Sequence, residues 1–294
     1  MNSTHPNNPE LAATHSKAGN RSQTTRLRPN GNSNTDIHVL VVDGVSNLPP
    51  SANGAIVVVG ANAAILATYF TAKAGARAAI HHDCGIGRDE AGVSGLLWAE
   101  QHGMAMVAVA TNSARVGDGS DTFRRGVISR VNGLAALCGV NIGHTVAEAA
   151  ELLKAAPWPH ADVQAPVGGR SFSHGVLCID SISIGTLEDE GLVEACGSHA
   201  GITAAPFALS FSPRLAFFND AGFGAGRAAV ACFPILDAEG IAATTVAAAS
   251  ARIGDGQSTL MQGIVSAVNE TAFRLGVRVG ETALVAARRV LERA

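Results

Sequence analysis

Two stretches of nearly identical sequence decide the fold: NSARVGDGSDTFRRGVISRVN at 112–132 and ASARIGDGQSTLMQGIVSAVN at 249–269. They lie 137 residues apart, and the same offset aligns neighbouring stretches without a gap. HVLVVDGVS (38–46), for example, then lies over GVLCIDSIS (175–183). A register kept over so long a stretch indicates an internal duplication of one structural unit.

Within each unit, short β-rich runs that end in Gly or Asp alternate with Ala-rich segments of helix length. In the first unit this pattern predicts strands near 38–42, 55–59, 77–82 and 104–110. It predicts helices near 62–74, 89–102, 120–138 and 145–155. Crossover helices between strands produce a mainly parallel sheet, although the Pro-containing connection between the first two strands also admits a hairpin. We therefore expect an α/β fold of two tandem Rossmann-like or flavodoxin-like units with mainly parallel sheets, related by a pseudo-twofold axis.

Composition divides the chain into four segments. Residues 1–36 are rich in Asn, Ser and Thr and lack both an apolar stretch and the hydrophobic centre of a secretory signal, which predicts a disordered leader. The two α/β units are predicted at 37–153 and 175–294. The linker between them, 154–174, holds three of the 11 prolines.

Charge and aromatic content exclude several classes of partner. The net charge of −3 offers no basic surface for duplex nucleic acid, and 4% aromatic residues offer few stacking platforms for single strands. No apolar run reaches the length of about 18 residues that a membrane span requires. The five cysteines are scattered, so we expect reduced thiols, a cytoplasmic location and no disulfide framework. The charged face of the segment 281–293 admits a homo-oligomer.

The predicted topology also locates the site, since ligands of open α/β sheets bind at the carboxyl ends of the strands. Three polar loops of each unit begin there. They are GSHAG (197–201), HHDCGIGRD (81–89) and SARVGDG (113–119), together with their counterparts GANAA, FNDAGFGAG and SARIGDG.

The SARVGDG and SARIGDG loops predict an anion site. An Arg beside a Gly-Asp-Gly turn and a helix start is suited to a carboxylate or phosphate. The alternative is structural: the Arg pairs with the Asp, and the glycines supply backbone angles. The predicted substrate-binding residues are Ser113, Arg115, Asp118, Asn219, Ser250, Arg252 and Asp255. The small polar residues Thr122, Gly126, Ser129 and Asn132, if helical, form one face that either packs closely or lines the cleft.

The other two loops differ between the units. Ser198 and His199 stand where the first unit has Ala61 and Asn62, and His81 and His82 stand where the second has Phe218 and Asn219. Asp83 and Asp220 match, and each precedes a Gly-x-Gly that lacks the rest of a nucleotide-binding fingerprint. We predict one composite catalytic site from the residues His199, Asp220, His82, Asp83 and Ser198.

Within this predicted site the carboxylates serve as general bases or orient a histidine. His199 is the preferred base, and Ser198 is an anion-binding group or a weak nucleophile, since GSHAG is not a nucleophile elbow. A divalent metal is an alternative, although no H-x-x-x-H or H-E-x-x-H spacing is present. No cofactor is predicted.

The motifs GSHAG, FNDAGFG and SARIGDG, followed by GIVSAVN, resemble those of a bacterial group of conserved proteins. The resemblance covers most of residues 175–290 and the first unit more loosely, because GANAA and HHDCG depart from the pattern. It implies no reaction.

Three classes of function remain open. The first is a small-molecule enzyme: a hydrolase of a small anionic amide, imide or lactone, or a lyase or isomerase acting next to a carboxylate. The second is a non-catalytic intracellular protein that binds an anionic metabolite between the two units. The third, an assembly subunit, fits polar strand-end loops least well.

Overall fold

The computed structural model describes residues 37–160, 163–166 and 168–293. The predicted leader lies outside the described residues. The remainder is a mixed α/β structure with two separate sheets of mostly parallel strands interleaved with helices, as two tandem Rossmann-like units.

The first sheet has five strands in sequence order among the described residues. They are β1 Val39–Val42, β2 Ile56–Asn62, β3 Ala78–His82, β4 Ala105–Val109 and β5 Ile128–Val131. The helices of this unit are α1 Ile65–Lys73, α2 Ser94–Gln101, α3 Gly119–Arg125, α4 Gly133–Leu137 and α5 Val146–Leu153. Strands β1 to β4 are parallel, and β5 is antiparallel to β4.

The second sheet repeats this arrangement with one additional edge strand. Its strands are β6 Arg170–Ser173, β7 Val176–Ile179, β8 Val193–His199, β9 Leu215–Asn219, β10 Ala242–Val246 and β11 Val265–Val268. Its helices are α6 Ala205–Phe211, α7 Phe233–Ala238, α8 Gly256–Gln262, α9 Glu270–Arg274 and α10 Ala283–Leu291. Strands β7 to β11 each begin 137 residues after their counterparts β1 to β5.

Helices cover both faces of each sheet, which explains why the central strands are nearly continuous apolar runs. In the first unit, Ile80 and Val107 pack with α4 and α5 on one face, and Ala79 and Met106 pack with α2 on the other. In the second unit the corresponding cores lie under α8 to α10 and under α6 and α7.

The structure decides how the first two strands are connected and corrects one predicted helix. The first two strands do not form a hairpin: β1 and β2 are parallel, and a 3-10 helix at Pro50–Ala52 lies in their connection. Residues 120–138 are not one helix, because α3 ends at Arg125 and β5 and α4 follow. The polar face predicted on that helix therefore does not exist. The segment predicted as linker, 154–174, also contains a strand, β6, which pairs with β7.

The two units contact each other through the loops that follow β3 and β9. The N–H of Arg88 donates to the carbonyl of Ala248 at 2.8 Å, and the N–H of Ala225 donates to the carbonyl of Thr111 at 2.9 Å. These two bonds are the same contact with the units exchanged, which is the pattern that a twofold relation produces. A small apolar cluster seals the contact and draws residues from both units: Ala64, Cys84, Ala91, Val116, Ala221, Ala228, Ala229 and Ile253.

The first glycines of the two Gly-x-Gly motifs allow the units to approach each other closely. Gly85 and Gly222 both have φ near +70°, and a Cβ on Gly85 would lie 3.3 Å from the Cα of Gly222. The motif that resembles a phosphate loop is therefore the point where the two units meet.

Candidate functional site

A cavity of about 70 Å³ lies between the units, at the carboxyl ends of the first two parallel strands of each. Sixteen of its eighteen lining residues form eight pairs spaced by 137: Gly44 and Ser181, Val45 and Ile182, Ser46 and Ser183, Ala61 and Ser198, Asn62 and His199, Leu66 and Thr203, Ala67 and Ala204, Phe70 and Phe207. Asp180 and Gly254 complete the lining. Since each pair takes one residue from each unit, the cavity lies on the pseudo-twofold axis, and we name it the axial cavity.

His199, the last residue of β8, is the buried imidazole of the axial cavity. The N–H of Gly201 donates to its Nδ1 at 3.0 Å, so Nδ1 carries a lone pair and the proton of the neutral ring is on Nε2. Burial lowers the pKa of His199 to about 4, which keeps the ring neutral at physiological pH. His199 therefore presents an N–H donor.

Asp180 follows β7 and is the other ionisable residue among those lining the axial cavity. Its Oδ1 accepts the N–H of Gly256 at 3.1 Å, and its Oδ2 accepts the N–H of Gly169 at 2.7 Å. Gly197 makes this placement possible, because a Cβ there would lie 2.6 Å from the carbonyl oxygen of Asp180. A carboxylate is thus held at the cavity beside the start of α8.

Ser198 lines the same cavity, and its Oγ accepts the N–H of Ile182 at 3.0 Å. Among the described residues, no histidine or carboxylate lies within hydrogen-bond distance of this hydroxyl. The structure therefore brings Ser198 and His199 to one cavity without making them a hydrogen-bonded nucleophile and base.

His82 and His81 lie in the protein interior rather than on the axial cavity. Nε2 of His82 is 2.7 Å from Oγ1 of Thr122, and that hydroxyl donates to the carbonyl of Asp118. Nε2 of His82 is therefore the donor, and its buried Nδ1 has no partner among the described residues. Burial, with smaller contributions from the nearby His199 and His81, lowers the pKa of His82 to about 3.

The predicted carboxylate bases bind backbone groups. Oδ1 of Asp83 accepts the N–H groups of Gly85 and Thr111, and Oδ2 accepts the hydroxyl of Ser129. Asp220 accepts the N–H groups of Gly222 and Ala248. Both aspartates hold the loops at the contact between the units, and neither lines the axial cavity.

The residues predicted to bind substrate also lie outside the axial cavity and make local contacts. The Ser113 and Ser250 hydroxyls bind the backbone of their own loops, and the Asn219 side chain binds the backbone at Ala221 and Ala251. Asp118 and Asp255 cap α3 and α8.

The two matching arginines of these loops, Arg115 and Arg252, differ in their ion pairs. Arg252 pairs with Asp255 at 2.8 Å and, across the contact between units, with Asp89 at 3.1 Å. Arg115 is exposed, and its guanidinium makes no ion pair or hydrogen bond among the described residues. The position that matches Asp89 is Gly226, where an added Cβ would lie 3.6 Å from Nε of Arg115.

A larger groove of about 600 Å³ adjoins the axial cavity, because both are lined by Leu66, Asp180 and Gly254. Arg252 and Arg170 also line the groove. Arg170 is neutralised by a buried partner, Asp189, just as Arg252 is by Asp255.

Asp180 is not among the candidate site residues predicted from the sequence. An aspartate directly after a strand, as in VVD (41–43) and CID (178–180), would have pointed to the carboxyl end of that strand. Asp43 accepts the N–H of Gly119, the first residue of α3, and Asp180 accepts the N–H of Gly256, the first residue of α8. Only Asp180 lines the cavity.

Within the described residues, no group of three or more His, Cys, Asp or Glu side chains is placed to hold a metal ion. No helix in the described part of the chain is long and apolar enough to cross a membrane. Fold and cavity together define a two-unit α/β protein with a small cavity on its pseudo-twofold axis. The chain matches no family model, no curated protein and no solved structure.

Proposed function

We propose that the protein is an enzyme acting on the carbonyl group of a small molecule in the axial cavity, with His199 as hydrogen-bond donor to the carbonyl oxygen. One observation carries this proposal: the Gly201 N–H occupies Nδ1 and so leaves a protonated Nε2 on a neutral imidazole that lines the cavity. A neutral histidine donor that stabilises a developing oxyanion is an established catalytic device.

The size of the cavity limits the part of the substrate that it can hold. One water needs roughly 10–15 Å³ of cavity volume, so 70 Å³ holds about five to seven non-hydrogen atoms. The partner is then a small carbonyl compound, neutral or charged. An anionic group is not required, because the guanidinium of Arg252 is already neutralised by two aspartates.

Proton transfer next to the carbonyl is the reaction that these groups fit best. Asp180 would take the proton from the carbon beside the carbonyl, while the N–H of His199 stabilises the enolate oxygen. Return of the proton to another atom gives an isomerase, and loss of a substituent gives a lyase. The pairing of a carboxylate base with a neutral donor is the pattern that such chemistry uses.

Hydrolysis of a small amide, imide or lactone is the second candidate, and the position of Ser198 favours it. Its Oγ would attack the carbonyl carbon, its proton would pass to Asp180 through a water molecule, and the oxyanion would accept the N–H of His199. The intermediate would then collapse with cleavage of the C–N or C–O bond, and the leaving nitrogen or oxygen would take the proton held by Asp180. Water would finally hydrolyse the acyl-serine ester and restore the serine.

The test incubates the protein in D₂O with a panel of amides, imides, lactones and oxo acids of five to seven non-hydrogen atoms. Proton NMR follows both deuterium incorporation beside the carbonyl and ring opening or amide cleavage. We expect one of these in the wild type and a decrease of at least about 100-fold in His199→Asn, the residue found at the matching position 62.

The exposed His160, which lies outside the cavity, supplies the control His160→Asn, which should keep full activity. A panel that stays unchanged, or turnover unaffected by His199→Asn, would refute the proposal. Binding that raises the melting temperature without turnover would favour the non-catalytic metabolite-binding alternative.

A further inference from the structure

The two walls of the axial cavity are equivalent in sequence position but not in polarity. At three of the eight paired positions the second unit supplies a hydroxyl where the first unit supplies none. The pairs are Ser181 with Gly44, Ser198 with Ala61 and Thr203 with Leu66. His199 and Asp180 lie on the same wall, which makes it the more polar of the two.

The opposite wall has fewer polar groups, namely the Ser46 hydroxyl, which matches Ser183, and the Asn62 amide. Leu66 and Phe70, on the first turns of α1, are only partly buried and line the cavity together with the buried side chain of Val45. Asn62 is the most polar side chain on this wall, and its Oδ1 is already bound by the N–H of Ala64 at 3.1 Å.

A ligand hydroxyl or charge placed against Leu66 and Phe70 would lose water without gaining a hydrogen-bond partner from these side chains. An alkyl group there would instead gain from removal of its surface from water, at roughly 0.8 kcal/mol per CH₂.

We infer that the substrate is a carbonyl compound with a short aliphatic end, of which the carbonyl faces His199 and the alkyl group faces Leu66 and Phe70. The inference depends on the proposed function for the identity of the polar end. It adds the substrate class, short-chain aliphatic rather than polyhydroxylated compounds, and it makes Leu66 a specificity-determining residue.

The duplicated sequence supplies the test substitutions. Leu66→Thr and Ala61→Ser each place on the apolar wall the residue that the other wall has at the matching position, so the fold has already accommodated both. Leu97→Thr, at an exposed leucine outside the cavity, is the matched control.

The probes are butanamide and 3-hydroxypropanamide, which have the same number of non-hydrogen atoms and differ by a methyl against a hydroxyl. Isothermal titration calorimetry gives the dissociation constant of each. We expect the wild type and Leu97→Thr to bind butanamide at least fivefold more tightly than 3-hydroxypropanamide. The ratio of the two dissociation constants should fall at least threefold in Leu66→Thr. Ala61→Ser provides the same test if Leu66→Thr does not fold.

Equal or tighter binding of 3-hydroxypropanamide by the wild type would overturn the inference. So would an unchanged ratio in both wall variants, or no binding of either amide. The proposed function fails separately: an alkyl preference with no turnover in the D₂O panel refutes catalysis alone, and turnover without an alkyl preference refutes this inference alone.

Discussion

The backbone N–H of Gly201 donates to Nδ1 of His199 at 3.0 Å, and the imidazole leaves no room for a side chain at position 201. A Cβ on Gly201 would lie 2.7 Å from Nδ1 and 2.9 Å from Cε1. In the first unit the same bond joins the N–H of Ala64 to Oδ1 of Asn62 at 3.1 Å. The second unit thus combines the larger imidazole of His199 with Gly201, and the first unit combines the smaller amide of Asn62 with Ala64.

This relationship predicts a strong coupling between positions 199 and 201. Gly201 has φ −69°, which alanine adopts without strain. Any loss of stability in Gly201→Ala therefore arises from the steric contact between the new Cβ and the imidazole of His199. We expect this substitution to lower the free energy of unfolding by about 1–3 kcal/mol, as overpacking of a buried site does. His199→Asn should relieve most of this cost, because the double variant restores the Asn and Ala of the first unit. Urea denaturation of the two single variants and the double variant measures the coupling, and simple additivity would contradict the packing described here.

Three buried histidines predict loss of stability in mild acid. Burial lowers the pKa values of His81 and His199 to about 4 and that of His82 to about 3, against 6.5 for the unfolded chain. The unfolded state therefore binds up to three more protons than the folded state. The contribution of the neutral histidines to the free energy of unfolding is complete above pH 6.5 and is lost as the pH falls towards 4.

Glu194 acts in the opposite direction over part of this range. Its carboxyl group is buried without a hydrogen-bond partner among the described residues, and burial raises its pKa to about 8. Its contribution to stability is present below pH 4.5 and lost as the pH rises to 8. Between pH 4.5 and 6.5 the net difference is then about two protons, or about 3 kcal/mol per pH unit.

Urea unfolding at several pH values measures this slope directly. His82→Asn, which supplies the residue found at position 219, should reduce the slope by about one proton, or about 1.4 kcal/mol per pH unit. His160→Asn should leave it unchanged. A slope that is the same in both variants would show that His82 is protonated equally in the folded and unfolded chain.

The contact between Gly85 and Gly222 predicts a cost for alanine at either position. A left-handed conformation costs a non-glycine residue about 1–2 kcal/mol, and the added Cβ also meets the opposite loop, at 3.3 Å in the case of Gly85. Gly191 separates the two effects, because its φ is +71° and nothing lies within 4 Å of its added Cβ. By urea denaturation we expect Gly85→Ala and Gly222→Ala to be more destabilising than Gly191→Ala. Equal costs would mean that the loops can move apart.

The parallel strands could be predicted from sequence because most are short apolar runs, several of which are followed by Asp, as in VLVVD (39–43) and VLCID (176–180). The helix at 120–138 could not be excluded, since Thr122, Gly126, Ser129 and Asn132 recur at helical spacing for unrelated reasons. A Cβ on Gly126 would lie 2.4 Å from the carbonyl oxygen of Thr122, the Ser129 hydroxyl binds a carboxylate, and Asn132 caps α4. Helical spacing of small polar residues is therefore not enough to show that they lie on one helix.

The candidate site was only partly predictable. Ser198 and His199 differ from their counterparts in the first unit, and that difference drew attention to residues that line the cavity. Asp180 has an identical counterpart in Asp43, so the comparison of the two units did not single it out. Its role depends on how the units pack, which no local pattern encodes.

The two matching arginines predict different costs on substitution. Arg252 bridges Asp255 and Asp89, whereas Arg115 has no ion pair among the described residues. The Arg252 side chain is 39% exposed and that of Asp89 57%, so solvent screening limits the contribution of these pairs to roughly 0.5–1 kcal/mol. We expect Arg252→Ala to lower the free energy of unfolding by that amount at low salt and by less at 1 M NaCl, because salt screens exposed pairs. Arg115→Ala should change it by less than about 0.5 kcal/mol at either salt concentration. Equal, salt-independent losses would show that both arginines act by packing, and that the ion pair between the units does not stabilise their contact.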